Sequence, residues 1–312
     1  MEYNFITASD GCRLAYASTS RTNSHQPNTC ILLMHGFSGS SAYFKHNTTA
    51  LASQFWVVAP DMRGHGRSDL TPGGYHVARL AADLRELILH LRGQQSSNDI
   101  RFFPVGCSIG AAVLWTYAEL FGDKDFAGLI FVDQAPLQNR SPRGDWNETK
   151  AHTGCYDLQT ILAAQHAWAT DRVNAQKGLI EGCLGYYHPD YPGSKPSQDR
   201  QKADFEFFNA ISSQCPSGEW LGLLIADHTA YDHREALELV RVPTLVIMGR
   251  YSGCFPLEGM RESVRRINGG SQARGGQPLA KESVYECGHW LFYEDAERFN
   301  KEVLEFVASL GA

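Results

Sequence analysis

The sequence predicts an α/β fold, with a mostly parallel, doubly wound sheet carrying helices on both faces and a helical insertion. Three observations predict it. Strand-length apolar runs alternate with helix-spaced segments up to about residue 134, and the alternation resumes near 240. A Gly-x-Ser-x-Gly segment, Gly106 to Gly110, lies between one such run and one such helix. The stretch 135–239 breaks the rhythm and offers no convincing strand.

Taken in order, residues 3–7 and 13–16 flank Asp10-Gly11, a turn signal that predicts a hairpin. Residues 30–34 and 55–59 are continuous apolar runs of strand length, the second stopped by Pro60, as buried parallel strands are. Leu80, Leu84, Leu87, Ile88 and Leu91 give residues 77–91 one helix-spaced apolar face. A strand ending at Gly106, a helix ending near Gly122 and a strand over 128–132 follow. The last part reads as strand 243–248, a helix, strand 281–287 and a helix over 291–310. The core is therefore expected over 1–134 and 240–312. Residues 135–239 are expected to form a helical cap, rich in rings such as Trp146, Trp168, Tyr186, Phe208 and Trp220. Gly/Ser/Pro clusters at 191–197 and 268–278 predict surface loops.

The chain has 312 residues, 43% of them hydrophobic, so it can bury a sizeable core. Its net charge of −6 provides no electrostatic footprint for nucleic acid or an anionic membrane. No apolar stretch reaches the roughly 18 residues of a membrane span. The start, Met1 to Phe5, has no signal-peptide character, which predicts an intracellular, cytoplasmic protein. The eight cysteines form no C-x-x-C pair, so they read as reduced and structural, and no metal or cofactor is expected. Nothing in the pattern sets an oligomeric state.

A serine on a tight strand-to-helix turn is placed as a nucleophile, and Gly106 and Gly110 fit flanks too cramped for side chains. The hydroxyl of Ser108 needs a base, and histidine is the natural choice because it titrates near neutrality. Of the twelve histidines, His289 follows the last predicted strand in Glu286-Cys287-Gly288-His289-Trp290. Strand C-terminal ends are where a doubly wound sheet builds its site. The backbone N–H of Ile109, next after the serine, is one expected oxyanion donor, and that of Phe37, after His35-Gly36, is the other. Phe37 and Trp290 are expected to face the substrate.

With these segments, Asp61 to Ser68 and Val242 to Gly249, the chain resembles the α/β-hydrolase superfamily, in particular its serine esterase, lactonase and cofactor-free haloperoxidase-like branch. The resemblance implies that Asp61, Arg63, His65 and Asp69 are turn and ion-pair residues. It also implies an acid shortly after Gly249, but residues 250–254 carry no carboxylate. A variant within the superfamily takes the acid from the end of the preceding strand, which here points to Asp133. Glu258, or a dyad with water or Ser252 in the acid's place, remain alternatives. Dehalogenases and epoxide hydrolases on this scaffold use a carboxylate nucleophile, which Ser108 is not. The expected activity is hydrolysis of an ester or lactone of a small to medium apolar molecule. The alternatives are C–C bond cleavage on the same fold and a ligand receptor with slow turnover.

Overall fold

A computed structural model describes residues 1–22, 24–93, 99–138 and 158–311; Trp146 and Cys155 lie outside them. Strands β1 (Glu2–Thr7), β2 (Arg13–Ser18), β3 (Gln26–Met34), β4 (Phe55–Pro60), β5 (Arg101–Cys107), β6 (Leu129–Val132), β7 (Thr244–Gly249) and β8 (Ala280–Tyr285) form one sheet. Their spatial order is β1-β2-β4-β3-β5-β6-β7-β8. The hairpin β1–β2 is antiparallel, β2 pairs antiparallel with β4, and every pairing from β4 to β8 is parallel. The chain leaves β3 toward β4 on one side and β5 lies on the other. In a doubly wound sheet such a reversal is where a site crevice is built, here beyond the C-terminal ends of β3 and β5.

The helices among the described residues are α1 (Thr48–Ala52), α2 (Val77–Gly93), α3 (Ile109–Phe121), α4 (Leu158–Thr170), α5 (Arg172–Cys183), α6 (Gln198–Ser212), α7 (Gly218–Ala230), α8 (Arg234–Glu238), α9 (Leu257–Ala273), α10 (Leu291–Glu294) and α11 (Ala296–Ser309). The central strands are apolar throughout because both faces are covered. Along β3, Cys30, Leu32 and Met34 point into the core under α2, α3 and α9. Ile31 and Leu33 point into the opposite core, under α1 and α11. Helices α4 to α8 all fall between β6 and β7, so the described part of 135–239 holds helices and no strand.

Two expectations are corrected. Residues 268–273 are not loop but the last turns of α9, and only the part after Ala273 is irregular. Gly270 explains it: a Cβ there would come 2.2 Å from the Glu238 carbonyl, so the glycine lets α9 lie directly on α8. The final helix is also broken, because Asp295 leaves helical geometry and its side chain caps α11 through the Arg298 N–H.

Arg63 is 1% exposed and grips Asp83 with two 2.7 Å bonds, while its Nη1 donates to Asp10 at 2.8 Å. These bonds fix the 61–68 loop against α2. Arg63→Ala leaves the Asp83 carboxylate buried beside the single remaining Arg79, and is expected to cost about 3–5 kcal/mol, read from the urea midpoint.

Candidate active site

β5 ends at Cys107 and α3 begins at Ile109, leaving Ser108 alone on the turn with φ 54° and ψ −125°. Such a backbone costs a non-glycine residue about 1–3 kcal/mol. The surroundings impose it. Ser108 N–H donates to Val132 O at 2.9 Å and its carbonyl accepts from Ala111 N–H at 2.7 Å. Both glycines are needed for contact: a Cβ on Gly106 would lie 2.6 Å from the Gly110 carbonyl oxygen, and one on Gly110 would lie 2.7 Å from that of Met34.

The loop after β3 reaches the same spot. A Cβ on Gly36 would sit 3.3 Å from Ser108 Cβ, so this loop passes against the serine with no room to spare. Phe37 follows, and its ring meets Trp168 of α4 edge-on at 5.0 Å. Neither Phe37 N–H nor Ile109 N–H has a backbone acceptor among the described residues. His35 holds the loop from behind: its Nδ1–H donates to Gly36 O at 2.8 Å and its Nε2 accepts from Met62 N–H at 3.0 Å. Burial pushes its pKa down to about 4, so it stays neutral. Asp61 accepts from the Ser41 and Arg67 N–H groups, and the buried His65 donates to Arg63 O. These residues shape the turn, as the resemblance implied.

Asp133 occupies the end of β6 with φ 47°, its N–H donating to Ile247 O at 2.8 Å. Its carboxylate accepts three hydrogen bonds. Gly249 N–H donates to Oδ2 at 2.7 Å, Ser252 Oγ–H to Oδ1 at 2.7 Å, and His289 Nδ1–H to Oδ1 at 2.5 Å. Asp133 and His289 are 1% and 5% exposed. Ser252 therefore serves the carboxylate instead of replacing it, and Glu258 is bonded to Arg265 on its own helix. The structure brings Asp133 and His289 together and leaves Glu258 apart.

Trp290 is packed among rings. It is 3% exposed, stacked on Phe208 of α6 with ring centroids 3.6 Å apart, and edge-on to Tyr43 at 5.6 Å. It anchors the helical segment to the His289 loop. Nearby, Gly185 and Gly288 meet backbone to backbone: a Cβ on Gly288 would come 2.3 Å from Gly185 N. Glu294 accepts from both N–H groups, at 3.0 and 2.9 Å. Burial pushes its pKa from 4.5 up to about 7, against those two donors. The native state thus keeps a proton that the unfolded chain releases between those values, so stability falls as pH rises through that window. Glu294→Gln is expected to flatten this slope, which urea titrations across the window will measure.

Sequence reasoning missed the neighbours of His289. Cys254 follows β7 where a carboxylate was sought, and its sulfur lies 3.7 Å from that of Cys183, the last residue of α5. These two sulfurs and a ring nitrogen of His289 fall within 4.8 Å of one another, short of the four protein ligands of a closed zinc site. The Cys183 thiol bonded to it lowers the pKa of Cys254 to about 5. Burial opposes charge on His289, yet the Cys254 sulfur and Asp133 outweigh it and push its pKa up to about 10. A polar residue pattern Ser-Gly-Cys at the expected acid position was the available signal. His228 of α7 was missed as well; it is buried, within 3.0 Å of the Gln138 side-chain amide, and burial drives its pKa down to about 3.

Comparison with known proteins agrees with the architecture. A family model described as alpha/beta hydrolase fold matches residues 29–296. A soluble epoxide hydrolase from Corynebacterium sp. (strain C12) is 41% identical over 291 residues, 90% of each chain. Among solved structures, an esterase from Exiguobacterium antarcticum superimposes with a TM-score of 0.76 at 20% identity, covering 97% of this chain and 98% of that one. An enol-lactonase from Burkholderia xenovorans LB400 gives 0.74 at 18% identity, covering 98% and 100%.

Proposed function

The chain belongs to the α/β-hydrolase fold family, and from that premise we propose that it is a serine hydrolase cleaving an ester or lactone of a small to medium apolar molecule. The observation that carries the reading is the strained Ser108 at the β5–α3 turn, with Asp133 at the end of the adjacent β6 and bonded to the buried His289 after β8.

In this reading His289 takes the Ser108 proton as Oγ attacks the carbonyl carbon. Asp133 accepts from Nδ1, which leaves Nε2 as the acceptor and stabilises the imidazolium that forms. The backbone N–H groups of Phe37 and Ile109 receive the negative charge on the carbonyl oxygen. Collapse of that intermediate breaks the bond to the alkoxide, which leaves with the proton from His289. Water then attacks the acyl-enzyme, His289 accepts its proton and returns it to Ser108, and the carboxylic acid departs. Residues 135–239 act as the cap over the crevice, with Phe37 and Trp168 forming an apolar wall.

The epoxide hydrolase relative raises a second reading, and the serine argues against it. Attack by Ser108 on an epoxide carbon would form an ether, which has no carbonyl for water to attack, so the enzyme would not turn over. An ester on Ser108 has that carbonyl. A fluorophosphonate probe tests the proposal without knowledge of the substrate. Stoichiometric labelling mapped to Ser108 is expected; no adduct, or an adduct elsewhere, overturns it.

The base should work at alkaline pH. His289 accepts a proton only when neutral, so kcat/KM should rise with pH toward the value of about 10. Cys254→Ala removes the sulfur that contributes most to this elevation, and is expected to move the acid limb to lower pH. A displacement of one pH unit would raise the rate about tenfold below the limb. The pH–rate profiles of the two proteins measure it, and coincident limbs would rule the effect out.

A further inference from the structure

The loop after β7 and the end of α5 touch at two glycines. Gly253 N–H donates to Gly182 O at 3.0 Å, and a Cβ on Gly253 would lie 2.6 Å from that oxygen and 3.2 Å from the Gly182 Cα. The next residue on each side of this contact is a cysteine, so the backbone bond sets Cys183 beside Cys254. Their sulfurs are 3.7 Å apart, too far to be bonded to each other as a disulfide. A disulfide needs about 2.05 Å, so closure moves each sulfur by about 1 Å, within reach of side-chain rotation. Cys183 is fully buried, whereas Cys254 is a partly exposed residue, so a small oxidant approaches the pair from the Cys254 side.

We propose that Cys254 and Cys183 are a peroxide-sensitive thiol pair, in which Cys254 is oxidised first and Cys183 closes a reversible disulfide. The Cys254 sulfur attacks one oxygen of hydrogen peroxide, the O–O bond breaks, and hydroxide leaves to become water on taking up the thiol's proton. The product is a sulfenic acid. Cys183 then attacks that sulfur, the S–O bond breaks, and a second water leaves with the Cys183 proton. In sum two thiols lose two electrons and one peroxide becomes two waters. The lowered pKa of Cys254 favours the first step, since the thiolate is the nucleophile. The bridge would tie α5 to the loop whose Ser252 holds Asp133, and would take a negative sulfur away from His289. None of this depends on the substrate of Ser108.

The test uses the full chain. After exposure to hydrogen peroxide and alkylation, a non-reducing digest should contain one peptide pair joined through Cys183 and Cys254, lost on treatment with dithiothreitol. Cys254 should lose its thiol about tenfold faster than the other cysteines. In Cys183→Ser the oxidation should stop at a Cys254 sulfenic acid that dimedone captures. Three results overturn the proposal: both thiols still alkylated after peroxide, a cross-link joining other cysteines, or Cys254 driven to sulfinic acid with Cys183 intact. The wild-type digest decides the question alone if the variant does not fold.

Discussion

Ser108→Ala is expected to lower kcat for ester or lactone hydrolysis by about 10⁶-fold, the scale lost when a serine nucleophile is removed. Alanine keeps a Cβ, so the φ of 54° stays as unfavourable as it is for serine, and the melting temperature should hardly move. The loss would then belong to the hydroxyl and not to the fold. Ser108→Gly separates the two further. Glycine accepts this backbone without strain, so the variant should be equally inactive yet more stable by about 1 kcal/mol. Activity on p-nitrophenyl esters together with urea midpoints checks both, and appreciable turnover in either variant would exclude Ser108 as the nucleophile.

Asp133→Asn should be the second largest effect, a fall in kcat of about 10⁴-fold with KM little changed. The wild-type carboxylate faces three donors: Gly249 N–H, Ser252 Oγ–H and His289 Nδ1–H. Asparagine has one acceptor oxygen in place of two, so its NH2 must point at a donor. If it points at His289, the ring is pushed into the tautomer that presents Nε2–H to the serine and cannot accept its proton. If it points at Gly249, a buried N–H is left unbonded, at a cost of about 1–3 kcal/mol. The first orientation shows as the kinetic loss, the second as a stability loss of that order. Glu258→Gln, away from these donors, should leave both unchanged, and the reverse outcome would move the acid to Glu258.

Much of the scaffold was legible because it rests on short-range signals. Ile31 and Leu33 alternate with Cys30 and Leu32 between two cores, so the run had to be apolar throughout, and that is what a buried parallel strand looks like. The turn at Gly106 to Gly110 was legible because steric demand there leaves only glycine. Asp133 was pointed to by the resemblance to a superfamily variant once no carboxylate followed Gly249, and its bond to His289 joins residues 156 positions apart. What escaped depended on packing between distant segments. Gly270 looked like a loop residue because the α8 backbone it lies against is absent from any local window. Trp290 stacks on Phe208, 82 positions earlier, a contact that neither local window could show. Cys254 escaped because the position was searched for a carboxylate, while the chemistry there is a sulfur set by Cys183.

The glycine pair at Gly185 and Gly288 limits how this protein can be altered. Each occupies space the other's side chain would need, and Glu294 closes the joint with one carboxylate. A helical segment borrowed from another protein to change what the crevice accepts would have to bring a glycine to this point. With any other residue there, the junction would open and carry His289 with it. The helical segment is thus exchangeable only as a unit that respects a single shared seam, and that seam runs beside His289.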